Sequence, residues 1–508
     1  MTEKLARALS KSCRAELVET HISWLILGRT TVYKLKKPVD LGFLDFSTLE
    51  TRHLACQEEL RLNRRTAPQL YEAVEPVSGT ESAPVLGDDS DVIDYALRMQ
   101  RFDNSKEFDR LARAGTLDVD AIDALAEAIA TFHEQQAGAE PRAEFGTPEA
   151  IYNPARDNFE AFAELDHSRE YRTLLAQLKC WTEGEYRLRK ADFAARRELG
   201  FVRECHGDLH LGNIYYADGR AVPFDCIEFN ESLRWIDVMA DIGFTVMDLI
   251  NHDLPELGYR LLNEYQARTG DYRSVRVLRW YLVYRAMVRA KVAAIRAHQD
   301  HDLESDMGSQ CRHYLQLAGH LSRPGRPGLI LMCGLSGTGK TTVARQLAAR
   351  LAAIHLRSDV ERKRLHGLAM TDSSRDLGQD IYSAQASEHT FSQLEELAQE
   401  ILSCDLPVIV DATFIDQALR QRFIDLADRL TMPWVIVECT ASEAEVRQRL
   451  EARTGDASEA SLQQYFDQRA AFEEFNAGEL SSRVIVDSGA GFDSLDDRVR
   501  AVLSRGGT

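Results

Sequence analysis

A glycine-rich segment of eight residues constrains the fold of this chain more than any other feature. It reads Gly334-Leu335-Ser336-Gly337-Thr338-Gly339-Lys340-Thr341, and it lies between an apolar stretch, 329–333, and a helical stretch, 342–351. Glycines let a backbone wrap closely around phosphate, because a side chain there would block the N–H donors. A strand, a phosphate-binding loop and a helix in this order predict a P-loop nucleotide-binding domain.

The same segment supplies candidate ligands for ATP and Mg²⁺. Lys340 is expected at the β- and γ-phosphates, and the Thr341 hydroxyl at the magnesium ion. Asp411 follows the apolar run 408–410 and is a candidate for the acid that assists magnesium binding in P-loop enzymes. The predicted nucleotide-binding residues of this segment are Gly334, Ser336, Gly337, Thr338, Gly339, Lys340, Thr341 and Thr342.

A second motif of different origin lies in the first half of the chain. It reads His206-Gly207-Asp208-Leu209-His210-Leu211-Gly212-Asn213 and is followed by Asp225. Asp208 and Asn213 have the spacing of a kinase catalytic loop, in which the Asp orients or deprotonates the substrate hydroxyl and the Asn binds magnesium. Asp225 ends a short apolar stretch, which places its carboxylate where a second magnesium ligand belongs.

A kinase-like site also needs a lysine on an early strand and a glutamate partner from the next helix. The stretch Val32-Tyr33-Lys34-Leu35 fits the strand and favours Lys34 over Lys36 and Lys37. The helical stretch that follows offers Glu58 and Glu59, and the sequence leaves open which of them faces Lys34.

The length of the chain and a segment rich in proline and glycine predict two domains. The 508 residues exceed the size of a single hydrophobic core. The segment 322–328 contains two Pro-Gly pairs and predicts a linker between a domain of residues 1–321 and a domain of residues 329–508. Strand-prone sequence followed by helical sequence predicts an α+β bilobal kinase-like fold first, and alternating strands and helices predict an α/β P-loop domain with a parallel sheet second. The stretch 78–91 is expected to be a surface loop.

Net charge and cysteine content limit the binding partners and the cellular compartment that we expect for this protein. The net charge of −19 argues against a nucleic-acid-binding surface, and only the basic cluster within 357–364 favours one, at the C-terminal domain. Nine cysteines without a CxxC pair are typical of reduced thiols in a cytoplasm. No apolar run is long enough for a membrane span, so we expect a cytoplasmic protein without a membrane partner. The sequence does not indicate an oligomeric state.

The segment 206–213 resembles the catalytic loop of aminoglycoside phosphotransferases and related small-molecule kinases, in which Gly207 replaces the arginine of protein kinases. The resemblance implies that Asp208 is the catalytic base and that Asn213 and Asp225 hold magnesium. It also implies that His206 anchors the loop.

The C-terminal part resembles small P-loop kinases of the gluconate-kinase-like and zeta-toxin-like type. That resemblance implies that Asp359 accepts the proton of the substrate hydroxyl and that Arg362 contacts phosphate or substrate. Arg449 and Arg453 lie four residues apart on one helical face and resemble the arginines of a lid over the transferred phosphate. The alternatives are a helix N-cap for Ser358 or Asp359 and a solvated helix face for the two arginines.

Together the two motifs predict an ATP- and Mg²⁺-dependent phosphotransferase with two nucleotide sites that acts on hydroxyls of small molecules, in the sugar, aminocyclitol or nucleotide class. Two alternatives remain. One domain could be a regulatory nucleotide-binding module, or the P-loop domain could be a polynucleotide or nucleotide-sugar kinase. Retention of the catalytic and metal-binding residues in both motifs favours catalysis.

Overall fold

The described part of the chain forms two compact units. In the computed structural model the described residues are 3–40, 42, 44–137, 142–163, 169–299, 306–374, 381–452, 461–489, 491–492 and 494–505. The first unit comprises Met1–Asn158 and Lys190–Asp248, and the second comprises Phe159–Arg189 and Leu249–Thr508.

The first unit is built on a six-stranded antiparallel sheet. The sheet has the strand order β1-β2-β3-β6-β4-β5. Two short strand pairs, β7 with β10 and β8 with β9, frame the segment of the second sequence motif. The strands are β1 Glu16–Glu19, β2 Ser23–Leu27, β3 Thr31–Lys36, β4 Tyr71–Thr80, β5 Ala83–Leu86, β6 Val92–Gln100, β7 Val202–Glu204, β8 Ile214–Ala217, β9 Arg220–Pro223 and β10 Trp235–Asp237.

Helices cover this sheet and follow it in the chain. The first helix buries Leu5, Ala6 and Leu9, which are spaced to form one apolar face, against Trp24 and Ile26 of the sheet. The second helix begins at a capping box in which Thr48 and Thr51 satisfy each other's backbone N–H groups. The helices up to residue 251 are α1 Glu3–Cys13, α2 Leu49–Asn63, α3 Phe108–Arg113, α4 Val119–Gln135, α5 Pro148–Ala163, α6 Arg169–Glu198 and α7 Val238–Asn251. Part of each of α5, α6 and α7 belongs to the second unit.

The second unit contains a five-stranded parallel sheet with the order β12-β13-β11-β14-β15. The central strand β11 is buried at every residue, which explains its continuous apolar sequence. The strands are β11 Leu329–Cys333, β12 Ile354–Arg357, β13 Val408–Asp411, β14 Trp434–Thr440 and β15 Arg483–Asp487. The helices are α8 Pro255–Thr269, α9 Val275–Gln299, α10 Asp306–Leu321, α11 Lys340–Leu351, α12 Ser358–Leu365, α13 Ala384–Leu402, α14 Gln417–Arg429, α15 Glu443–Ala452, α16 Leu462–Ala471, α17 Ala477–Ser481 and α18 Leu495–Leu503.

The sequence prediction of a loop over 78–91 is wrong in part. Strand β4 continues to Thr80 and pairs with β5, so that Thr80 lies opposite Ala83. The polar, Gly- and Pro-containing sequence hid this hairpin, because an edge strand needs little apolar sequence when one of its sides faces water. The separate folding of residues 1–321 and 329–508 stays a prediction, and helices α8–α10 belong to the same compact unit as the parallel sheet. Across the described residues, every helix is too short or too polar to cross a membrane.

Candidate functional site

A buried ionic cluster lies on strand β3 and helix α2. Lys34 and Lys36 are two residues apart and therefore point to the same face of the strand. The Lys34 Nζ lies 2.7 Å from Glu59 Oε1 and 2.6 Å from Asp225 Oδ1. Lys36 pairs with Glu59 and Glu228 and is fully buried. Sequence reasoning missed the role of Lys36, although its spacing from Lys34 is a usable signal.

The charges within this cluster determine the protonation of its members. Burial lowers the pKa of Lys34, but the carboxylates of Asp225, Glu59 and Glu228 outweigh it and hold that pKa well above its usual value. Burial raises the pKa of Asp225, and the Lys34 charge and hydrogen bond more than offset it, so the net pKa is lowered. Lys34 is thus held as a cation and Asp225 as an anion.

The structure distinguishes the two candidate glutamates of α2. Glu59 is fully buried and bonds to Lys34, whereas Glu58 faces the other way. Glu58 Oε1 accepts hydrogen bonds of 2.7 Å from Arg61 and Arg234. Adjacent helical residues point about 100° apart, so only one of the two can reach Lys34.

The loop 206–213 is fixed by a buried carboxylate from α7. Asp241 accepts the backbone N–H groups of His206 and Gly207 at 3.0 and 2.8 Å. Burial raises the pKa of Asp241, but the hydrogen bond from His133 and the nearby histidine charges lower it by more, so the net pKa is about 2. Gly207 has a φ of +87°, and a Cβ there would lie 2.7 Å from the Leu233 carbonyl oxygen, so only glycine fits. The His206 Nε2 bonds to the Phe224 carbonyl at 2.9 Å and ties the loop to the segment that ends at Asp225.

Asp208, Asn213 and Asp225 are brought to one place by this loop. Asn213 Nδ2 donates to the Asp208 carbonyl and carboxylate at 3.0 and 3.2 Å, and the Phe224 N–H donates to the Asn213 carbonyl at 2.9 Å. With Nδ2 turned toward Asp208, the oxygen of the Asn213 amide remains a possible metal ligand. An amide oxygen and an ionised carboxylate are ligands of the kind that Mg²⁺ prefers.

In the second unit, the glycine-rich loop has the conformation that its glycines permit. Gly334, Gly337 and Gly339 have φ values of +139°, +82° and +85°. A Cβ on Gly334 would lie 2.5 Å from the Cys439 carbonyl oxygen. The loop runs directly from β11 into α11, whose first residue is Lys340. The N-terminus of a helix carries a partial positive charge and free backbone N–H groups, and both bind phosphate.

A cavity of about 340 Å³ lies beside this loop. Lys340 lines it, and its Nζ donates to the Leu335 carbonyl at 2.8 Å. Burial lowers the pKa of Lys340, partly opposed by the Asp411 charge. The predicted residues that line the same cavity are Ser336, Gly337, Gly339, Lys340, Thr341, Thr342, Asp359, Arg362 and Asp411, and Thr338 is buried within the loop.

Asp411 lies at the carboxyl end of β13, opposite Met332 of β11 in the parallel register. Its Oδ2 is 3.2 Å from the Nε2 of His355 on the neighbouring strand. Burial raises the pKa of Asp411, but the hydrogen bond from His355 and the charges of His355 and Lys340 keep it below its usual value. An ionised carboxylate and the Thr341 hydroxyl on one cavity wall fit a magnesium ion.

The candidate acceptor-side residues have different surroundings. Asp359 lies in the first turn of α12 and faces the cavity, while Arg357 is the N-cap residue, so Asp359 does not cap the helix. Arg362 donates to the Ile381 carbonyl at 2.9 Å and to Ser387 Oγ at 3.1 Å.

The residues of the basic cluster and the predicted lid arginines also differ in their position relative to the cavity. Lys363 turns toward the Asp372 carbonyl, 2.7 Å away, and does not line the cavity. Arg449 contacts Ser488 Oγ at 2.8 Å and lies 3.4 Å from the Gly337 carbonyl oxygen, beside the glycine-rich loop. Arg453 lies outside the described residues.

Sequence reasoning missed Gln468 of α16. Its Oε1 accepts the Ser336 N–H at 2.8 Å, so it occupies one of the backbone donors of the glycine-rich loop. Gln464, one turn earlier, also lines the cavity. A glutamine in an ordinary polar helix carries no motif, so only the tertiary structure identifies it.

Both halves of the chain match known families. Residues 43–278 match the model of the phosphotransferase enzyme family, and residues 329–475 match the model of an AAA domain. Uncharacterised proteins of Mycobacterium tuberculosis and Mycobacterium bovis are each 29% identical to this chain over 452 residues, which cover 88% of this chain and 87% of each relative.

Two solved kinase structures each align with part of this chain. A choline kinase from Cryptosporidium parvum is 10% identical, with a TM-score of 0.40 over 62% of this chain and 96% of that chain. A gluconokinase from Sinorhizobium meliloti is 21% identical, with a TM-score of 0.26 over 36% of this chain and 94% of that chain.

The family matches define the class of the protein as a phosphotransferase. More particularly, the chain joins a segment similar to the phosphotransferase enzyme family, residues 43–278, to a P-loop segment similar to AAA domains, residues 329–475. The predicted fold class, a kinase-like domain followed by a P-loop domain with a parallel sheet, is thereby confirmed.

Proposed function

We propose that the chain is an ATP- and Mg²⁺-dependent kinase with two nucleotide sites, each of which transfers the γ-phosphoryl group to a hydroxyl of a small molecule. The observation that carries the proposal is that each site retains a complete set of phosphate-binding, metal-binding and base residues. A site that only binds nucleotide needs no base, yet Asp208 faces Asn213 in one site and Asp359 faces the P-loop cavity in the other.

In the kinase-like site, Lys34 would neutralise the α- and β-phosphates, and Asn213 and Asp225 would hold magnesium. Magnesium, when bound, neutralises charge on the transferred group. Asp208 would orient the acceptor hydroxyl and take its proton. The hydrogen bonds from Asn213 to Asp208 would fix the direction of that carboxylate.

In the P-loop site, the backbone N–H groups of the glycine-rich loop and Lys340 would bind the β- and γ-phosphates. Thr341 and Asp411 would hold magnesium, and Asp359 would accept the proton of the acceptor. Arg362 lines the cavity and Arg449 lies beside the glycine-rich loop, and both would bind the transferred phosphoryl group or a charged part of the acceptor. Phosphoryl transfer depends chiefly on such positioning and charge neutralisation.

The proposal is tested by screening pools of sugars, aminocyclitols and nucleotides for ATP-dependent phosphorylation by the full chain. Asp208→Asn and Asp359→Asn should each abolish a different product, because loss of a positioned base costs about 10²–10⁴ in rate. Asp218→Asn and Asp428→Asn make the same change at exposed positions and serve as controls. If either base variant kept the wild-type rate toward an acceptor assigned to its site, that site's assignment would be wrong.

A further inference from the structure

Helix α8 lies outside the segment that matches the AAA domain, yet it packs against that segment within one compact unit. It begins with Pro255 and ends at Gly270, whose φ of +76° gives a left-handed cap. Its second half is buried from Leu261 to Ala267. The buried stretch includes the polar residues Asn263, Glu264 and Gln266, of which Asn263 and Glu264 are 6% and 7% exposed. Buried polar side chains are retained where their hydrogen bonds are satisfied.

Asn263 binds the free edge of the parallel sheet. Among the described residues, strand β12 is an edge strand of the sheet and its outer backbone groups have no strand partner. Asn263 Nδ2 donates to the Ala353 carbonyl at 2.9 Å, and Asn263 Oδ1 accepts the His355 N–H at 2.8 Å. One side-chain amide therefore makes the pair of hydrogen bonds that a neighbouring strand would make, and it fixes the position of His355 along the edge.

His355 transmits this placement to the cavity. Its backbone is held by Asn263, and its Nε2 is 3.2 Å from Asp411 Oδ2. Both residues are buried, so a displaced His355 would leave the Asp411 carboxylate without this partner. Groups that hydrogen-bond to a metal ligand orient it, and their removal weakens metal binding.

Glu264 provides an independent contact between α8 and the same cavity. Its Oε1 lies 3.1 Å from the Nε of Arg345, which comes from α11 and lines the cavity beside Lys340 and Thr341. Glu264 thus contacts a residue that lines the cavity, whereas Asn263 is linked to the cavity through His355 and Asp411. A helix that only covered the sheet would present apolar side chains here.

We propose that α8 is a component of the P-loop active site, in which Asn263 is a positioning residue that orients Asp411 through His355. The proposal rests on the proposed function of that site, because it takes Asp411 as a magnesium-assisting acid. It follows that the P-loop kinase of this chain includes residues before the 322–328 segment.

Binding of ADP to the full chain with and without Mg²⁺ tests the proposal. The binding event that Lys340→Ala removes belongs to the P-loop site. Asn263→Ala should reduce the gain in ADP affinity that Mg²⁺ gives at this site by about tenfold or more. ADP affinity in the presence of a chelator should change little. Asn263→Asp keeps the acceptor for the His355 N–H and should retain more of the magnesium-dependent gain than Asn263→Ala.

A matched control separates positioning from simple docking of the helices. Arg279 of α9 bonds to the Cys404 carbonyl at 3.1 Å and to Asp405 at 3.2 Å, and none of these residues lines the cavity. Arg279→Ala should leave the magnesium-dependent gain unchanged. The proposal is overturned if Asn263→Ala behaves like Arg279→Ala, or if it weakens ADP binding equally with and without Mg²⁺. If Lys340→Ala removed no binding event, the proposed function of the P-loop site would fail instead.

Discussion

Lys34 and Lys340, the two lysines assigned to phosphate binding, lie in opposite electrostatic surroundings. Lys34 contacts two carboxylates directly and has a raised pKa. Lys340 donates to a backbone carbonyl and has a pKa lowered by burial. The kinase-like site therefore stabilises its lysine with its own acids, whereas the P-loop site holds a half-buried cation that a bound phosphate would stabilise much more.

This difference has opposite consequences for stability and for binding. Removing Lys34 leaves buried carboxylates with less positive charge, which destabilises the fold. Removing Lys340 relieves a burial cost in the protein alone, and the loss appears only when nucleotide binds. At the two proposed phosphate-binding sites, Lys34 thus contributes to the stability of the fold, whereas Lys340 contributes mainly to ligand binding.

The largest expected effect is on unfolding. Lys34→Ala should lower the free energy of opening of the first unit by about 3–5 kcal/mol, because it breaks a buried ion pair. Lys340→Ala should leave the stability of the second unit unchanged or slightly higher. Hydrogen exchange of peptides from β3 and β11 measures the two units separately. Equal destabilisation by the two substitutions would contradict the comparison.

A smaller effect is expected from the two adjacent glutamates of α2. Glu59→Gln removes a buried charge from Lys34 and Lys36 and should cost about 2 kcal/mol, as for hydrogen bonds to charged groups. Glu58→Gln acts on a partly exposed ion pair and should cost less than about 1 kcal/mol. Denaturant unfolding of the two variants is the measurement. A larger loss from Glu58→Gln would show that the cluster is not organised around Glu59.

The smallest expected effect is on the pH dependence of nucleotide binding. Only the protonated lysine binds phosphate, and a lowered pKa moves its deprotonation to lower pH. As the pH rises from about 7 to about 9.5, the affinity of the P-loop site should fall first, by less than about tenfold. The kinase-like site should keep its affinity, because the pKa of Lys34 is raised. Calorimetry at each pH measures both sites.

The control for this pH effect is Lys340→Arg. An arginine stays protonated throughout this range and should flatten the profile of the P-loop site. A profile that falls equally in Lys340→Arg and in the wild type would assign the titration to another group.

The sequence predicts those parts of the two sites that lie within short motifs. The spacing of Asp208 and Asn213, and the three glycines before Lys340, depend on local backbone geometry, and local geometry is visible in a short window. The sequence narrows the glutamate partner of Lys34 to Glu58 or Glu59. A helical stretch can be predicted from the sequence, but the rotation of the helix about its axis cannot. The alternation of strands and helices also predicts the parallel sheet.

The remaining parts depend on contacts between residues far apart in the chain. Lys36 meets Glu228 across nearly two hundred positions, and Asn263 meets His355 across the boundary that the Pro-Gly segment suggests. Each of these residues alone is an ordinary polar residue in a strand or helix. Their pairing is decided by tertiary packing, which no local pattern encodes.

The hydrogen bond from Ser336 to Gln468 makes α16 an internal competitor of the nucleotide. At the proposed nucleotide site, an incoming phosphate that bound the Ser336 N–H would have to replace the glutamine oxygen there, and its affinity would be reduced by the free energy of that hydrogen bond. A net contribution of about 0.5–1.5 kcal/mol from this hydrogen bond corresponds to a nucleotide affinity that is lower by about two- to tenfold.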